Sequence, residues 1–60
     1  MRLKQQIDYN DGQDIRTIAI RYYYGMLGKT QAIRLINHIS NRNAAVTDLA
    51  DKTIKEVEQL

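Results

Sequence analysis

Apolar side chains recur at helical spacing in three stretches of the chain, and each stretch predicts a helix. The first stretch begins at Ile15 and continues through Met26, with apolar positions at i, i+3, i+4 and i+7. This is the stripe by which a helix faces a core. The members of the stripe are Ile15, Ile18, Ala19, Tyr22, Tyr23 and Met26.

The first predicted helix also carries a second apolar stripe, formed by Ile20, Tyr24 and Leu27, roughly opposite the first. A helix that is apolar on two faces is normally covered on two faces. A chain of 60 residues offers few elements for that cover, and domains of this size usually need a disulfide, a metal or oligomerisation. Because there is no cysteine and only one histidine, we expect a homodimer with Ile20, Tyr24 and Leu27 as its self-association face.

Glycines bracket the end of the first predicted helix. Gly28 suits the left-handed position that stops a helix, and Thr30 suits the N-cap of the next one. Gly25 lies before that stop, where glycine costs about 1 kcal/mol relative to alanine. Either something packs closely against Gly25 or the helix frays early.

Two further amphipathic helices follow. The second is predicted from Gln31 to Arg42, and the third from Thr47 or Asp48 to Leu60. The apolar stripe of the second is formed by Ala32, Leu35, Ile36 and Ile39. The stripe of the third is formed by Val46, Leu49, Ala50, Thr53, Ile54, Val57 and Leu60.

The residues before the first helix favour a strand. Apolar and polar side chains nearly alternate from Arg2 to Tyr9, which is typical of a half-buried strand, although Leu3 and Ile7 also have helical spacing. Asn10-Asp11-Gly12 is a turn signal, and Asp11 could cap the first helix. The predicted fold is therefore mainly α, a single domain spanning residues 1–60 with three short helices preceded by a short N-terminal strand.

The charge layout is more informative than the net charge of +2. No acidic residue lies between Ile15 and Thr47, whereas that span contains five of the nine basic residues. Arginine and asparagine are suited to base edges and equally to acidic protein surfaces. The predicted partner-binding residues are Arg21, Arg34, Asn37, His38, Asn41 and Arg42.

No motif in the sequence points to catalysis. His38 is the one candidate general base, and no cysteine is available as a nucleophile. Gly28-Lys29-Thr30 lacks the spacing of a phosphate-binding loop. We expect no enzyme activity, cofactor, metal or small-molecule substrate. With no signal peptide and no apolar run approaching about 20 residues, we expect a cytoplasmic protein that does not enter the membrane.

Two hypotheses of function follow from these features. The first is a small regulatory or inhibitory protein that binds a partner protein with an acidic or nucleic-acid-mimicking surface. In size and style the chain resembles the small regulators and inhibitors carried by phages and other mobile elements. In this hypothesis the Tyr22–Tyr24 run could supply an aromatic anchor.

The second hypothesis is a dimeric DNA-binding regulator. A strand, a helix, a Gly-x-Thr joint and a second helix, over about Arg2 to Arg42, faintly resemble the ribbon-helix-helix repressors. The resemblance implies that Arg2, Lys4 and Gln6 point from the strand into the major groove. The sequence departs from that family in the position of Gln5, in the second apolar stripe and in the third helix.

Overall fold

The computed structural model describes the backbone of residues 3–60 and the side chains of residues 11–60. In this part the chain forms three α-helices: α1 (Leu3–Tyr23), α2 (Lys29–Arg42) and α3 (Thr47–Gln59). A single 3₁₀ turn, Ala44–Val46, joins α2 to α3. The described backbone contains no strand, and none of the described helices is both long and apolar enough to cross a membrane.

The N-terminal prediction was wrong from Leu3 onward. The predicted strand and the Asn10-Asp11-Gly12 turn are both part of α1, which has 21 residues; Arg2 lies outside the described residues. Asp11 does not cap a helix but is buried within one, with 1% of its surface exposed. Its carboxylate is held by the last side chain of α2 and by the residue that follows it, and such a tertiary contact overrides a local turn preference.

Gly12 lies within α1 and next to Leu49 of α3. A Cβ atom at Gly12 would lie 3.8 Å from Leu49 Cδ2, which is an ordinary van der Waals distance. Gly12 therefore marks a close approach of α3 to α1 rather than a turn.

The helix stop falls at Gly25, not at Gly28 as predicted. Gly25 has φ +79°, the left-handed conformation that glycine adopts without strain. Its N–H donates to the Tyr22 carbonyl at 3.0 Å, and the Met26 N–H donates to the Arg21 carbonyl at 2.8 Å. These two bonds form the Schellman motif that closes many helices.

The start of α2 also differs from the prediction. Gly28 occupies the N-cap position with extended backbone angles and no side-chain cap, and Thr30 is already inside the helix. The end of α2 at Arg42 and the start of α3 at Thr47 agree with the predictions. Asn43 both follows α2 and caps the 3₁₀ turn, with its Oδ1 accepting from the Ala45 N–H at 3.0 Å.

The core lies where the three helices meet and is small. Its centre is formed by Ile15, Ile36, Ile39 and Ala50, and Ile18, Val46, Leu49 and Ile54 pack around it. Thr53 is also buried, and its hydroxyl donates to the Leu49 carbonyl at 2.7 Å. Among the described side chains, three of the seven buried apolar residues are alanines, so the part of the core formed by residues 11–60 contributes little apolar area.

Several side chains predicted for the core are instead exposed. Met26 is 68% exposed and lies beyond the end of α1. Tyr23 is 45% exposed and is the last residue of α1. Leu35 and Leu60 are 38% and 70% exposed. The apolar surface outside the core therefore concentrates near the C-terminal ends of α1 and α3.

Candidate binding surfaces

The outward side of α2 brings together four of the six predicted partner-binding residues. Ala32, Ile36 and Ile39 are buried against the core, so the residues between them point to solvent. A shallow groove of about 450 Å³ results, lined by Thr30, Ile33, Arg34, Asn37, His38 and Asn41. We call Arg34, Asn37, His38 and Asn41 the α2 face. Among residues 11–60, no acidic side chain lines this groove.

Arg42 does not share in this groove, because its guanidinium group is held elsewhere. Arg42 Nη2 donates to Asp11 Oδ1 at 2.9 Å, and Asn43 Nδ2 donates to Asp11 Oδ2 at 3.2 Å. The Arg42 side chain remains 48% exposed while that of Asp11 is 2% exposed. Arg42, one of the predicted partner-binding residues, thus makes a contact that joins α1 to the end of α2, and its role toward a partner stays a prediction.

The charges of this pair stabilise each other. The hydrogen bond from Arg42 lowers the pKa of Asp11 and outweighs burial, which acts in the opposite direction; the Asn43 amide lowers the pKa further. The pKa of Arg42 is raised in turn by its hydrogen bond to Asp11 and by the charge of that carboxylate. At neutral pH Asp11 is therefore a charged group inside the fold whose oxygens both have partners.

Two other basic residues of the acid-free middle span also lie apart from the α2 face. Lys29 Nζ donates to the Glu58 carbonyl at 3.3 Å, which connects the start of α2 to the end of α3. Arg21 is exposed in the last turn of α1 and does not line the α2 groove. The positive stretch of sequence is therefore distributed over several sides of the molecule.

A second groove, of about 340 Å³, runs between α1 and α3. Its apolar wall includes Ala19, Ile20, Tyr23 and Leu49, and its polar positions are Arg16, Lys52, Thr53 and Glu56. Ile20 is 48% exposed here. This groove combines apolar area with charges of both signs, which the α2 groove does not.

Tyr23 and Glu56 face each other at one end of the α1–α3 groove. Partial burial of Tyr23 raises the pKa of its hydroxyl, and the charge of Glu56 and a hydrogen bond to it raise the pKa further. The tyrosine ring also contacts Tyr22, with ring centroids 5.9 Å apart and planes tilted by 58°. The phenol therefore remains protonated and donates toward the carboxylate.

The predicted self-association residues occupy this part of α1. Tyr24 is 78% exposed and Ile20 is 48% exposed, whereas Leu27, beyond the helix stop, is half-buried. Tyr24 lies one turn after Ile20, and its N–H still donates to the Ile20 carbonyl at 3.0 Å. Ile20, Tyr23 and Tyr24 are therefore neighbours on the helix surface at i, i+3 and i+4.

Sequence reasoning missed the participation of Arg16, Lys52 and Glu56 in this groove. Arg16 lies four residues before Ile20 and could have been placed on the same helix row from its spacing alone. The two α3 residues could not, because their location depends on how α3 packs against α1.

The helical start of α1 removes the strand that the ribbon-helix-helix resemblance requires. The backbone from Leu3 to Tyr9 is α-helical, so it offers no ribbon to enter a groove. Arg2 and the side chains of Lys4 and Gln6 lie outside the described residues.

Among the side chains that the structure describes, no group of three or more histidine, aspartate or glutamate residues could hold a metal ion.

Comparisons with family models, with curated proteins and with solved structures gave no match.

Proposed function

We propose that this chain is a non-catalytic binding protein that recognises an acidic surface of a partner protein and thereby regulates or inhibits it. The α2 face is the proposed contact surface. The observation that supports this most directly is the groove in which Arg34 and His38 lie beside two asparagine amides, with no carboxylate among the lining residues that the structure describes. Such a surface offers charge-assisted and neutral hydrogen-bond donors to carboxylates.

The geometry of α2 suits a protein partner. Ile33 lies in the same groove as Arg34 and is half-buried, so a partner would meet apolar area together with polar groups. Protein interfaces combine an apolar centre with a polar rim in this way, and arginine is enriched in them.

The distribution of basic residues argues against DNA as the main target of this face. Of the arginines and lysines whose side chains the structure describes, Arg34 alone lines the α2 groove, since Arg42 is bonded to Asp11 and Lys29 reaches the end of α3. DNA-binding proteins commonly neutralise about 6–10 phosphates. A single permanent cation in a groove is better matched to one or two carboxylates.

The test is affinity capture from a lysate, with and without nuclease treatment, using the parent chain, Arg34→Glu and a matched control. Lys55→Glu is the control because Lys55 is an exposed cation on α3, away from the α2 groove. We expect the parent and Lys55→Glu to retain the same protein partner, and Arg34→Glu to lose it with an unchanged circular dichroism spectrum.

Two results would contradict the proposal. One is recovery of nucleic acid alone, with affinity that falls by about 10³-fold between roughly 50 and 200 mM salt, as expected for about six phosphate contacts. The other is full retention of the partner by Arg34→Glu.

A further inference from the structure

The outward side of α1 carries a row of three residues spaced by four positions: Arg16, Ile20 and Tyr24. All three are exposed, and the hydrogen bond from the Tyr24 N–H to the Ile20 carbonyl continues the helical row to its last member. The row spans about 12 Å at the rise of an α-helix. Its order is cation, aliphatic side chain, aromatic ring.

We propose that this row packs antiparallel against the same row of a second copy of the chain, with the two-fold axis at Ile20. A two-fold interface uses the same patch on both copies. Arg16 and Tyr24 lie four residues from Ile20 in opposite directions, so an antiparallel pairing places Arg16 of one copy against Tyr24 of the other. An arginine over a tyrosine ring is a favourable cation–π contact, and the pairing forms two of them.

The charges of the α1–α3 groove support the same direction of pairing. Helix α3 runs in the same sense as α1, because Leu49 lies by Gly12 and Glu56 lies by Tyr23. Within the groove, Arg16 is therefore at the end toward the start of α1, and Glu56 is at the other end. An antiparallel second copy brings its own Arg16 to the Glu56 end, where the charges are complementary.

The composition of the row explains why a second copy is the occupant. In the reversed row of a second copy, Arg16 meets Tyr24, Ile20 meets Ile20, and Tyr24 meets Arg16. A second copy therefore supplies every contact that the row needs. Burial of Ile20 and Tyr24 would also add apolar area to a fold whose own core is small. This inference is independent of the proposed function, because it concerns α1 and α3 rather than the α2 face.

The test uses charge reversal in two separate chains, Arg16→Glu and Glu56→Arg, studied by sedimentation equilibrium. The parent should form dimers in a concentration-dependent manner. Each variant alone should dimerise at least about tenfold more weakly, since every copy then faces a like charge. An equimolar mixture should restore dimers to within several-fold of the parent affinity, because both Arg16–Glu56 contacts between the copies are again between opposite charges and only one of the two Arg16–Tyr24 contacts is missing.

The mixing step separates contacts between copies from contacts within one chain, since a repulsion inside a single chain would not be relieved by a second variant. Lys55→Glu should dimerise like the parent and serves as the control for net charge. Tyr24 gives a second line of test that leaves the fold alone, because its side chain is largely exposed. Tyr24→Phe should keep the dimer, whereas Tyr24→Leu should weaken it.

The inference is overturned if the parent is a monomer at all concentrations, if either charge-reversal variant dimerises like the parent, or if the mixture stays monomeric. If one of those variants does not fold by circular dichroism, the Tyr24 pair decides, and equal dimerisation of Tyr24→Phe and Tyr24→Leu overturns the inference. Arg34→Glu should leave dimerisation unchanged, so that failure of this inference and failure of the proposed function are distinguishable.

Discussion

Replacement of Asp11 by asparagine tests the contact on which the arrangement of α1 depends. The carboxylate accepts one hydrogen bond from Arg42 and one from Asn43, at 2.9 and 3.2 Å. Asparagine has nearly the same shape but presents an amide nitrogen in place of one oxygen. The amide nitrogen of the new side chain is a donor and would face a second donor, either the Arg42 guanidinium or the Asn43 amide. The negative charge that attracts Arg42 is also lost.

The expected loss of stability follows from these contacts. A hydrogen bond to a charged group contributes about 1.5–3 kcal/mol to the stability of a fold. Because the Arg42 side chain is half exposed and solvent screens its charge, we expect a contribution at the lower end of this range. We therefore expect Asp11→Asn to reduce the free energy of unfolding by about 1.5 kcal/mol. For a domain of about 60–100 residues, each kcal/mol lowers the melting temperature by about 4–8 °C.

The effect should depend on pH in a defined direction. Arg42 and Asn43 lower the pKa of Asp11 in the folded chain, while in the unfolded chain it returns to about 3.9. The stabilisation is therefore fully present above about pH 4 and is lost as the pH falls through the lower, folded-state pKa. The stability difference between the parent and Asp11→Asn should shrink over that acidic range.

Urea unfolding followed by circular dichroism, at neutral pH and at several acidic values, measures both effects. Asp51→Asn is the matched control: Asp51 is exposed on α3, and such surface changes usually stay within about 0.5 kcal/mol. The reasoning is refuted if Asp11→Asn and Asp51→Asn lose equal stability. It is also refuted if the Asp11→Asn difference persists unchanged at acidic pH.

Two further substitution pairs test the helix boundaries and the core. Gly25→Ala should lower the free energy of unfolding by about 1 kcal/mol, because Gly25 has a left-handed φ. Gly12→Ala should raise it by about 0.5–1 kcal/mol, because Gly12 lies within α1 with room for a methyl group beside Leu49. Equal effects of the two changes in urea unfolding would place the end of α1 elsewhere. Ile36→Ala should lower the free energy of unfolding by about 2–5 kcal/mol and leave little folded chain at 37 °C. Leu35 is 38% exposed, so Leu35→Ala should lower the melting temperature clearly less. The reverse order would contradict the orientation of α2.

The second and third helices could be predicted from the sequence because their patterns are one-sided. Helix α2 begins at Lys29 rather than Gln31, and α3 ends at Gln59 rather than Leu60. Each helix has a single apolar stripe and a polar opposite face, so periodicity alone gives its register and its buried side. The four residues of the α2 face could be placed together for the same reason.

The part of the first helix before Ile15 could not be predicted because its determinants are distant in sequence, whereas the part from Ile15 to Tyr23 was predicted from its apolar stripe. Asn10-Asp11-Gly12 is a strong local turn signal, but Asp11 finds its partners 31 and 32 residues later. The close approach of Leu49 at Gly12 likewise depends on how α3 packs. The predicted start at Ile15 therefore fell after the observed start at Leu3, and the left-handed residue was assigned to Gly28 instead of Gly25.

The same distant contact determines how much of the predicted site remains available. Arg34 and Arg42 have the same side-chain chemistry and both lie on exposed positions of α2, so periodicity treats them alike. What separates them is the buried carboxylate of Asp11, which engages Arg42 and leaves Arg34 as the arginine of the α2 groove. A count of basic residues in the sequence therefore overstates the charge that this face offers to a partner. Recognition by the α2 face should consequently depend on Arg34 far more than on Arg42, whose removal acts first on the fold.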